Sequence, residues 1–484
     1  MVQSGMPVRA RGGGCAFGAG HLGELTQVIT PALVDAVLEG SGRVQSRVRK
    51  LPSRVVVYFV LAMALFTGYG YRGVWACLVA GPGVPDLAPS AAALRQARRR
   101  VGSAPLVALF DEVKGTVASE HARGSWWRGL RTVAWDGTGL QVPDSPENRA
   151  ECGSGRGQYG LGGFPLFRLT ALVECGTRAL IDVVAGPWTQ SEKDQCMVLC
   201  RALRPGMLLL ADRGSKGVPL VCAAAATGAH LLWRTSVDRL PPVLHQLPDG
   251  TYLSMATSQN ERARLARWTR HRRGVPPQAQ GLALRVIEAT VTVRADDGRI
   301  RSSEIRLVTT LLDHRTYPAA ELVELYHERW QAETAFLGLK VTLKGSDRVL
   351  RSQSLDGVRQ ELFGLLVVYQ AARQIAGRAG QSNDVDPDRI SLTVTLRTAR
   401  LTVVNASGTT VPGPGSPSMP RITQAVLDPR ELAPEHRRLR ILPRRVKRPI
   451  STFAYNATRK DDPMHQVTIK IVIELPVNLP RRPA

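Results

Sequence analysis

An unbroken apolar run, Val55 to Phe66, is the strongest pattern in the first part of the chain. At 12 residues it is shorter than the roughly 20 that a membrane span needs. It therefore predicts a buried helix, entered at Pro52-Ser53 as helices often are. A second short helix is expected over Tyr71–Val79, and a third from Pro89-Ser90 that ends in Arg95, Arg98, Arg99 and Arg100. Three short helices with a basic last one suit a helix-turn-helix DNA reader or, equally, a helical bundle with a solvated basic face.

From about residue 131 the texture changes to alternating strands and helices. Strands are expected over Thr132–Val142, Phe167–Cys175 and Ala179–Ala185, then a helix over Ser191–Leu203. Met207–Ala211 reads as a buried strand ending at Asp212, Val218–Ala226 as a helix and His230–Thr235 as a fifth strand. Three meandering strands followed by alternation is the ribonuclease-H-like order, unlike a doubly wound fold that alternates from its start. The pattern then breaks into short strands such as Leu284–Arg294 and Glu304–Leu312, before a helix over Pro318–Leu339 and another over Leu355–Ile375. The expected organisation is thus a disordered 1–22, a helical DNA-binding domain over 23–125, and an α/β catalytic domain over 126–375. That domain is ribonuclease-H-like with a β-rich insertion at about 237–311, and a basic C-terminal region, 376–484, follows.

Composition sharpens the choice of partner. In 484 residues, 64 Lys and Arg stand against 40 Asp and Glu, a net charge of +24. A surplus of that size points to a polyanion, usually nucleic acid, and Arg, with its planar fork, suits phosphate. The seven cysteines form neither a zinc pattern nor a disulfide framework, so a reducing compartment is expected. No signal peptide and no membrane segment are read, and the bacterial cytoplasm, on the nucleoid, is the expected location.

The candidate chemistry lies in three acids. Asp136 sits inside an apolar strand, VAWDGTGL, where a charge is costly unless paired or metal-bound. Asp212 closes MLLLAD, and the carboxyl ends of strands in α/β sheets are where sites form. Glu333 lies in YHERWQAETAFLGLK, Tyr326 to Lys340. On an ideal helix Tyr326 and Lys340 fall about 20° from Glu333 and Arg329 about 40°, so one face would carry a tyrosine, two cations and an acid. A simple exposed Arg329–Glu333 ion pair is the bland alternative. Three converging carboxylates need a cation; oxygen ligands without Cys or His select Mg²⁺, with Mn²⁺ as substitute. A pair of such ions suits in-line displacement at phosphorus.

These segments resemble the DDE transposases of bacterial insertion sequences, specifically the insertion-sequence-four family with its Y-x2-R-x3-E-x6-K signature. Tyr326, Arg329, Glu333 and Lys340 fill it, while Asp136-Gly137-Thr138 and Asp212-Arg213-Gly214 look like the two Asp motifs. The resemblance implies metal-dependent cut-and-paste transposition: water nicks an element end, and the freed 3′-OH attacks another phosphodiester. It also implies double-stranded DNA partners, namely terminal inverted repeats and target, with phosphate contacts from Tyr326, Arg329 and Lys340. Some relatives stack a flipped base on a tryptophan of the insertion, for which Trp268 is the candidate here. Arg95, Arg98 and Arg99 are the N-terminal DNA-contact candidates, and a homodimer on DNA is the natural expectation for joining two ends. Ser215 stands where relatives often carry an aromatic, and Gly338 inside the helix predicts a kink or fray before Lys340.

The glycine-rich GSGRGQYGLGG, Gly153 to Gly163, lacks a phosphate-loop context and reads as a flexible loop. Two rival functions remain at this point, a metal-dependent nuclease without strand transfer and a non-catalytic DNA-binding regulator; a decayed, inactive transposase is a third.

Overall fold

The computed structural model describes residues 21–474 except 48, 81–87, 121, 154–155, 158–159, 162, 215–216, 236–240, 258–259, 262, 266, 268–280, 297, 347, 406–418 and 434–466. Of the stretch 1–22, only His21 and Leu22 are therefore described, and Leu22 is buried. Trp268, Ser215, much of the glycine-rich loop and most of the basic tail lie outside the described residues. The chain forms two compact units. One draws on Met1–Val113, Leu339–Ile375 and Leu392–Val426, the other on Lys114–Gly338, Ala376–Ser391 and Leu427–Ala484.

The second unit is organised by one mixed sheet. Its strands are β1 (Trp126–Trp127), β2 (Leu130–Gln141), β5 (Leu166–Glu174), β6 (Leu180–Pro187), β7 (Met207–Ala211) and β8 (His230–Thr235). They are followed by β9 (His245–Gln246), β10 (Tyr252–Ala256), β11 (Leu282–Ala295), β12 (Ile300–Thr309) and β13 (Val467–Ile473). A small separate hairpin pairs β3 (Arg156–Gly157) with β4 (Gly160–Leu161). The order across the sheet is β6-β5-β2-β7-β8-β12-β11-β10-β9, with β1 on β2 and β13 on β11. β6, β5 and β2 form an antiparallel meander; β2, β7 and β8 run parallel. β7 reads as a continuous apolar run because both its faces are covered, all five residues being buried. Trp135 on β2 meets Trp233 on β8 edge to face, 5.5 Å between ring centres, and closes that core.

The strands expected between residues 237 and 311 are present, yet they do not stand apart. β12 pairs antiparallel with β8, Thr309 opposite Leu232, so they prolong the same sheet. The exposed edge of β8 offers unpaired backbone groups, and pairing satisfies them.

The first unit is helical. The Val55–Phe66 run becomes the helix Ser53–Leu65, in which every residue except Arg54 is buried. Such a helix must be covered on every side, and this explains why the unit recruits sequence from far along the chain. Gly364, in the helix Leu355–Gln381, faces Val60 closely enough that an added Cβ would lie 3.3 Å from Val60 Cγ1, and Phe110 and Phe363 meet edge to face at 5.8 Å. The compact units also divide between Ile375 and Ala376, and Leu339–Ile375, expected within the catalytic domain, is counted with the helical unit. Among the described residues no helix is long and apolar enough to cross a membrane.

Candidate active site

The parallel pair β2 and β7 positions two of the acids. Their register aligns Arg131 with Met207 through Ala134 with Leu210. Asp136 lies two residues beyond that ladder on β2 and Asp212 one residue past the end of β7, so both stand at the same edge of the pair. β7 ends at Ala211, so β2 loses its neighbour on that side just where burial along it falls away, from Asp136 to Gly139. The opening thus lies at the carboxyl ends of parallel strands, next to the point where the sheet changes direction. Asp136 accepts a hydrogen bond from the Gly137 amide at 2.9 Å, and Asp212 from the Gly214 amide at 2.7 Å, the latter a local turn that fixes the carboxylate.

Glu333 arrives on the helix Trp330–Leu337. The single helix expected over Pro318–Leu339 is broken into turns of different pitch: Ala319–Leu325 is α, Tyr326–Arg329 is a 3₁₀ turn, and Gly338–Leu343, where Gly338 predicts a kink, is a π turn. A constant 100° step therefore does not hold from Tyr326 to Lys340. The grouping survives for the first three residues. Tyr326 is buried and donates to the Ala211 carbonyl on β7 at 3.1 Å, which anchors the turn beside Asp212. Buried Arg329 donates through Nη2 to Glu333 Oε1 at 2.5 Å. Its Nη1 is buried without a hydrogen-bond partner.

Electrostatics show how closely these groups converge. Asp136 is pushed up to about 7, first by burial and then by the charges of Glu333 and Glu192; the Gly137 amide and Arg329 oppose the rise. Burial raises Glu192 as well, with Asp212 adding to it and Arg168 opposing. Burial alone would lower Arg329, but Tyr326, Glu333 and Asp136 more than offset it and its pKa is raised. Asp136, Asp212, Glu333, Tyr326 and Arg329 thus gather at one place, together with an acid that the sequence reading missed.

That acid, Glu192, opens the helix Glu192–Leu199. Ser191 caps this helix, so in sequence SEKD reads only as a helix start. The signal that could have found it is Gly137, whose missing side chain leaves room for the Glu192 carboxylate. Arg168 lies 3.9 Å from Glu192 and stacks on Trp188 at 3.7 Å.

The donor set suits a hard divalent cation. It is all oxygen, and a carboxyl held near 7 among other carboxylates is either protonated or neutralised by a cation. As placed, no three His, Cys, Asp or Glu side chains among the described residues already form a metal cluster, and Glu333 is held by Arg329.

The other expected contacts fall elsewhere. Lys340 lies on the π turn, in the first unit, half-buried, and burial lowers its pKa. Arg95 and Arg99 are exposed on the helix Ala91–Val101. Arg98 corrects the sequence reading: it is 5% exposed and spent on internal bonds to Gln360, Tyr71, Ser352 and Glu361, so it is structural.

Two family descriptions match this chain: the insertion element 4 transposase N-terminal region over residues 19–111, and the transposase DDE domain over residues 127–370. The chain belongs to the DDE transposases, in the insertion-sequence-four family, and is a DNA transposase; divalent-metal dependence is general to that domain. It is 27% identical over 359 residues to the transposase InsG for insertion sequence element IS4 of Escherichia coli (strain K12), spanning 73% of this chain and 76% of that one. The putative transposase InsZ of the same strain is 33% identical over 147 residues, 30% of this chain and 48% of its own. Among solved structures, a piggyBac transposase synaptic complex with hairpin DNA aligns over 84% of this chain and 83% of its own, at 8% identity and a TM-score of 0.39.

Proposed function

We propose that the chain carries out metal-dependent cut-and-paste transposition of an insertion sequence, with Asp136, Asp212 and Glu333 as its catalytic acids. The observation that carries this reading is the half-buried Asp136 carboxyl, midway along β2 where its pairing with β7 has ended, pushed up to about 7 by burial and by the charges of Glu333 and Glu192. The fold we propose around it is a ribonuclease-H-like core, β6-β5-β2-β7-β8, with β9 to β12 as its β-rich insertion and a helical N-terminal domain.

Bound by these carboxylates, two Mg²⁺ ions would supply Lewis-acid activation of the attacking oxygen and charge neutralisation at phosphorus. The protein's own part is positional. Asp136 and Asp212 are fixed by adjacent backbone amides, and Tyr326 ties the Glu333 segment to β7. Arg329 Nη1, buried without a partner, would donate to a phosphate oxygen near the cut. Lys340 is assigned a second phosphate contact, on the family signature alone. In the first step water displaces the 3′-oxygen at the element end; in the second that 3′-OH attacks a new phosphodiester and displaces its 3′-oxygen. Terminal inverted repeats and target DNA are the substrates, a homodimer on DNA is the working form, and the bacterial cytoplasm is the site of action.

The test is excision and joining with native element ends in Mg²⁺, comparing wild type with Asp136→Asn, Asp212→Asn and Glu333→Gln. Each substitution is expected to abolish chemistry and leave DNA binding intact; full activity in any one removes that residue from the site.

A further inference from the structure

The helix Ser53–Leu65 ends against a cavity of about 430 Å³ that is lined within the first unit alone. Val60, Met63 and Leu365 form part of its apolar wall, while Tyr69, Arg348 and Arg351 line it as well. Tyr69 is 55% exposed and leans edge-on against Phe66, 6.3 Å between ring centres. Gly70 beside it leaves open space: nothing lies within 4 Å of where its Cβ would be.

Among the described residues the charges lining this cavity, to which Lys344 also belongs, do not balance. Arg348 and Arg351 both donate to one acceptor, the Thr67 carbonyl, at 2.6 and 2.9 Å. Among the described residues neither guanidinium forms an ion pair with a carboxylate. Glu361, the acid lining the cavity, is taken up by Arg98, by Ser352 and by the Arg351 backbone amide. A third arginine, Arg400, donates to the Leu65 carbonyl at 2.7 Å. Cations at a helix carboxyl end are ordinary, but that end carries only about half a negative charge. Half a charge cannot offset three guanidiniums, and two of them converge on a single oxygen. Burial and the charges of Arg98 and Arg348 lower the Arg351 pKa, with Glu361 opposing, in keeping with a surplus of positive charge.

We propose that this cavity binds a phosphodiester group of DNA, gripped by Arg348 and Arg351, with the adjoining sugar or base lying on its apolar wall beside Tyr69. Guanidinium forks match phosphate oxygens, and a pocket of a few hundred Å³ with an apolar wall and a few charged groups has the composition of a ligand site. The site is separate from the carboxylate centre and would anchor the strand rather than cut it. It rests on the assignment of DNA as substrate.

The experiment measures binding of a duplex carrying the native element end across a salt series, for wild type, Arg348→Gln, Arg348→Lys and the double variant Arg348→Gln/Arg351→Gln, with thermal unfolding of each. Each lost phosphate contact should lower the slope of log affinity against log salt by about 0.9. The expected result is a slope reduced by about one unit in Arg348→Gln, preserved in Arg348→Lys, and reduced further in the double variant. Arg348→Gln without DNA should unfold no earlier than wild type, since it relieves repulsion. Unchanged slope and affinity in Arg348→Gln, or a loss of binding that tracks lost thermal stability, overturns the proposal. Wild type that binds and cuts the duplex in the same assay keeps that failure distinct from a failure of the transposase assignment.

Discussion

Gly137 and Glu192 compete for the same space: a Cβ added to Gly137 would lie 2.6 Å from Glu192 Cδ and 2.8 Å from its Cγ. The atoms in the way are the far end of a flexible side chain, so Gly137→Ala should displace the Glu192 carboxylate rather than unfold the sheet. We expect its stability to fall by less than about 2 kcal/mol and its strand-cutting rate to drop at least about tenfold, through the shifted carboxylate. Thermal unfolding and single-turnover cleavage, measured together, decide the matter; wild-type rates in Gly137→Ala would show that the position of Glu192 has no bearing on the chemistry.

Asp136 makes stability depend on pH in a defined direction. Its folded pKa is about 7, against an ordinary value of 3.8. The folded chain therefore holds a proton that the unfolded chain releases between those values. Stability contributed by the neutral carboxyl is complete below about pH 4 and is lost as pH rises to about 7, by up to roughly 4 kcal/mol at 1.36 kcal/mol per unit. Asp136→Asn should cancel this loss. The variant is expected to be catalytically dead and more stable than wild type at pH 8 without divalent metal, with a smaller gap at pH 5. Mg²⁺ should raise the unfolding temperature of wild type more at pH 8 than at pH 5, and the Asp136→Asn substitution should blunt that rise. Denaturant titrations at the two pH values check it; a gap that does not change with pH would refute the assignment of the shift to Asp136.

What could be read in the sequence, and what could not, follows from how local each feature is. β7, β8 and the helix Val218–Ala226 begin and end where the apolar pattern puts them, because continuous burial leaves a continuous apolar run. The two aspartates stood out as charges in such runs. The segment from Tyr326 to Lys340 has a helical pattern throughout, yet its turns change from 3₁₀ to α to π, which residue spacing does not encode. Gly338, where the π turn starts, was the one visible hint. Glu192 was hidden by its second role as a helix-opening acid. Arg98 was misread because it sits in a run of arginines, although the period could have placed it: it lies four residues after buried Leu94 and three before buried Val101, on the inward stripe.

Arg329 should separate binding from chemistry. It neutralises Glu333 and Asp136 and presents a buried Nη1 without a partner. Arg329→Lys keeps a charge but loses the fork that reaches two oxygens. We expect a cleavage rate lowered about 100-fold or more, as for loss of one donor aimed at developing charge, with affinity for an element end changed by less than about threefold. Quantitative binding and single-turnover cutting distinguish the two; a variant that binds tenfold more weakly and cuts normally once saturated would place Arg329 in ground-state binding alone.

The helix Ala91–Val101 offers a contrast among neighbours of the same residue type. Arg98 is buried and holds Glu361, Gln360 and Tyr71; removing it leaves Glu361 inside without its cation, a change that costs about 3–5 kcal/mol in comparable buried pairs. Arg95 and Arg99 are exposed, so their replacement by Ala should alter stability by no more than about 0.5 kcal/mol. If either contacts the DNA backbone, its loss should lower the salt slope of binding by about 0.9. Arg98→Ala should therefore lower the unfolding temperature by several degrees, while Arg95→Ala and Arg99→Ala leave it in place and act only on affinity. An Arg98→Ala protein as stable as wild type, with weakened DNA binding, would reverse the structural role given to Arg98 and return it to the surface.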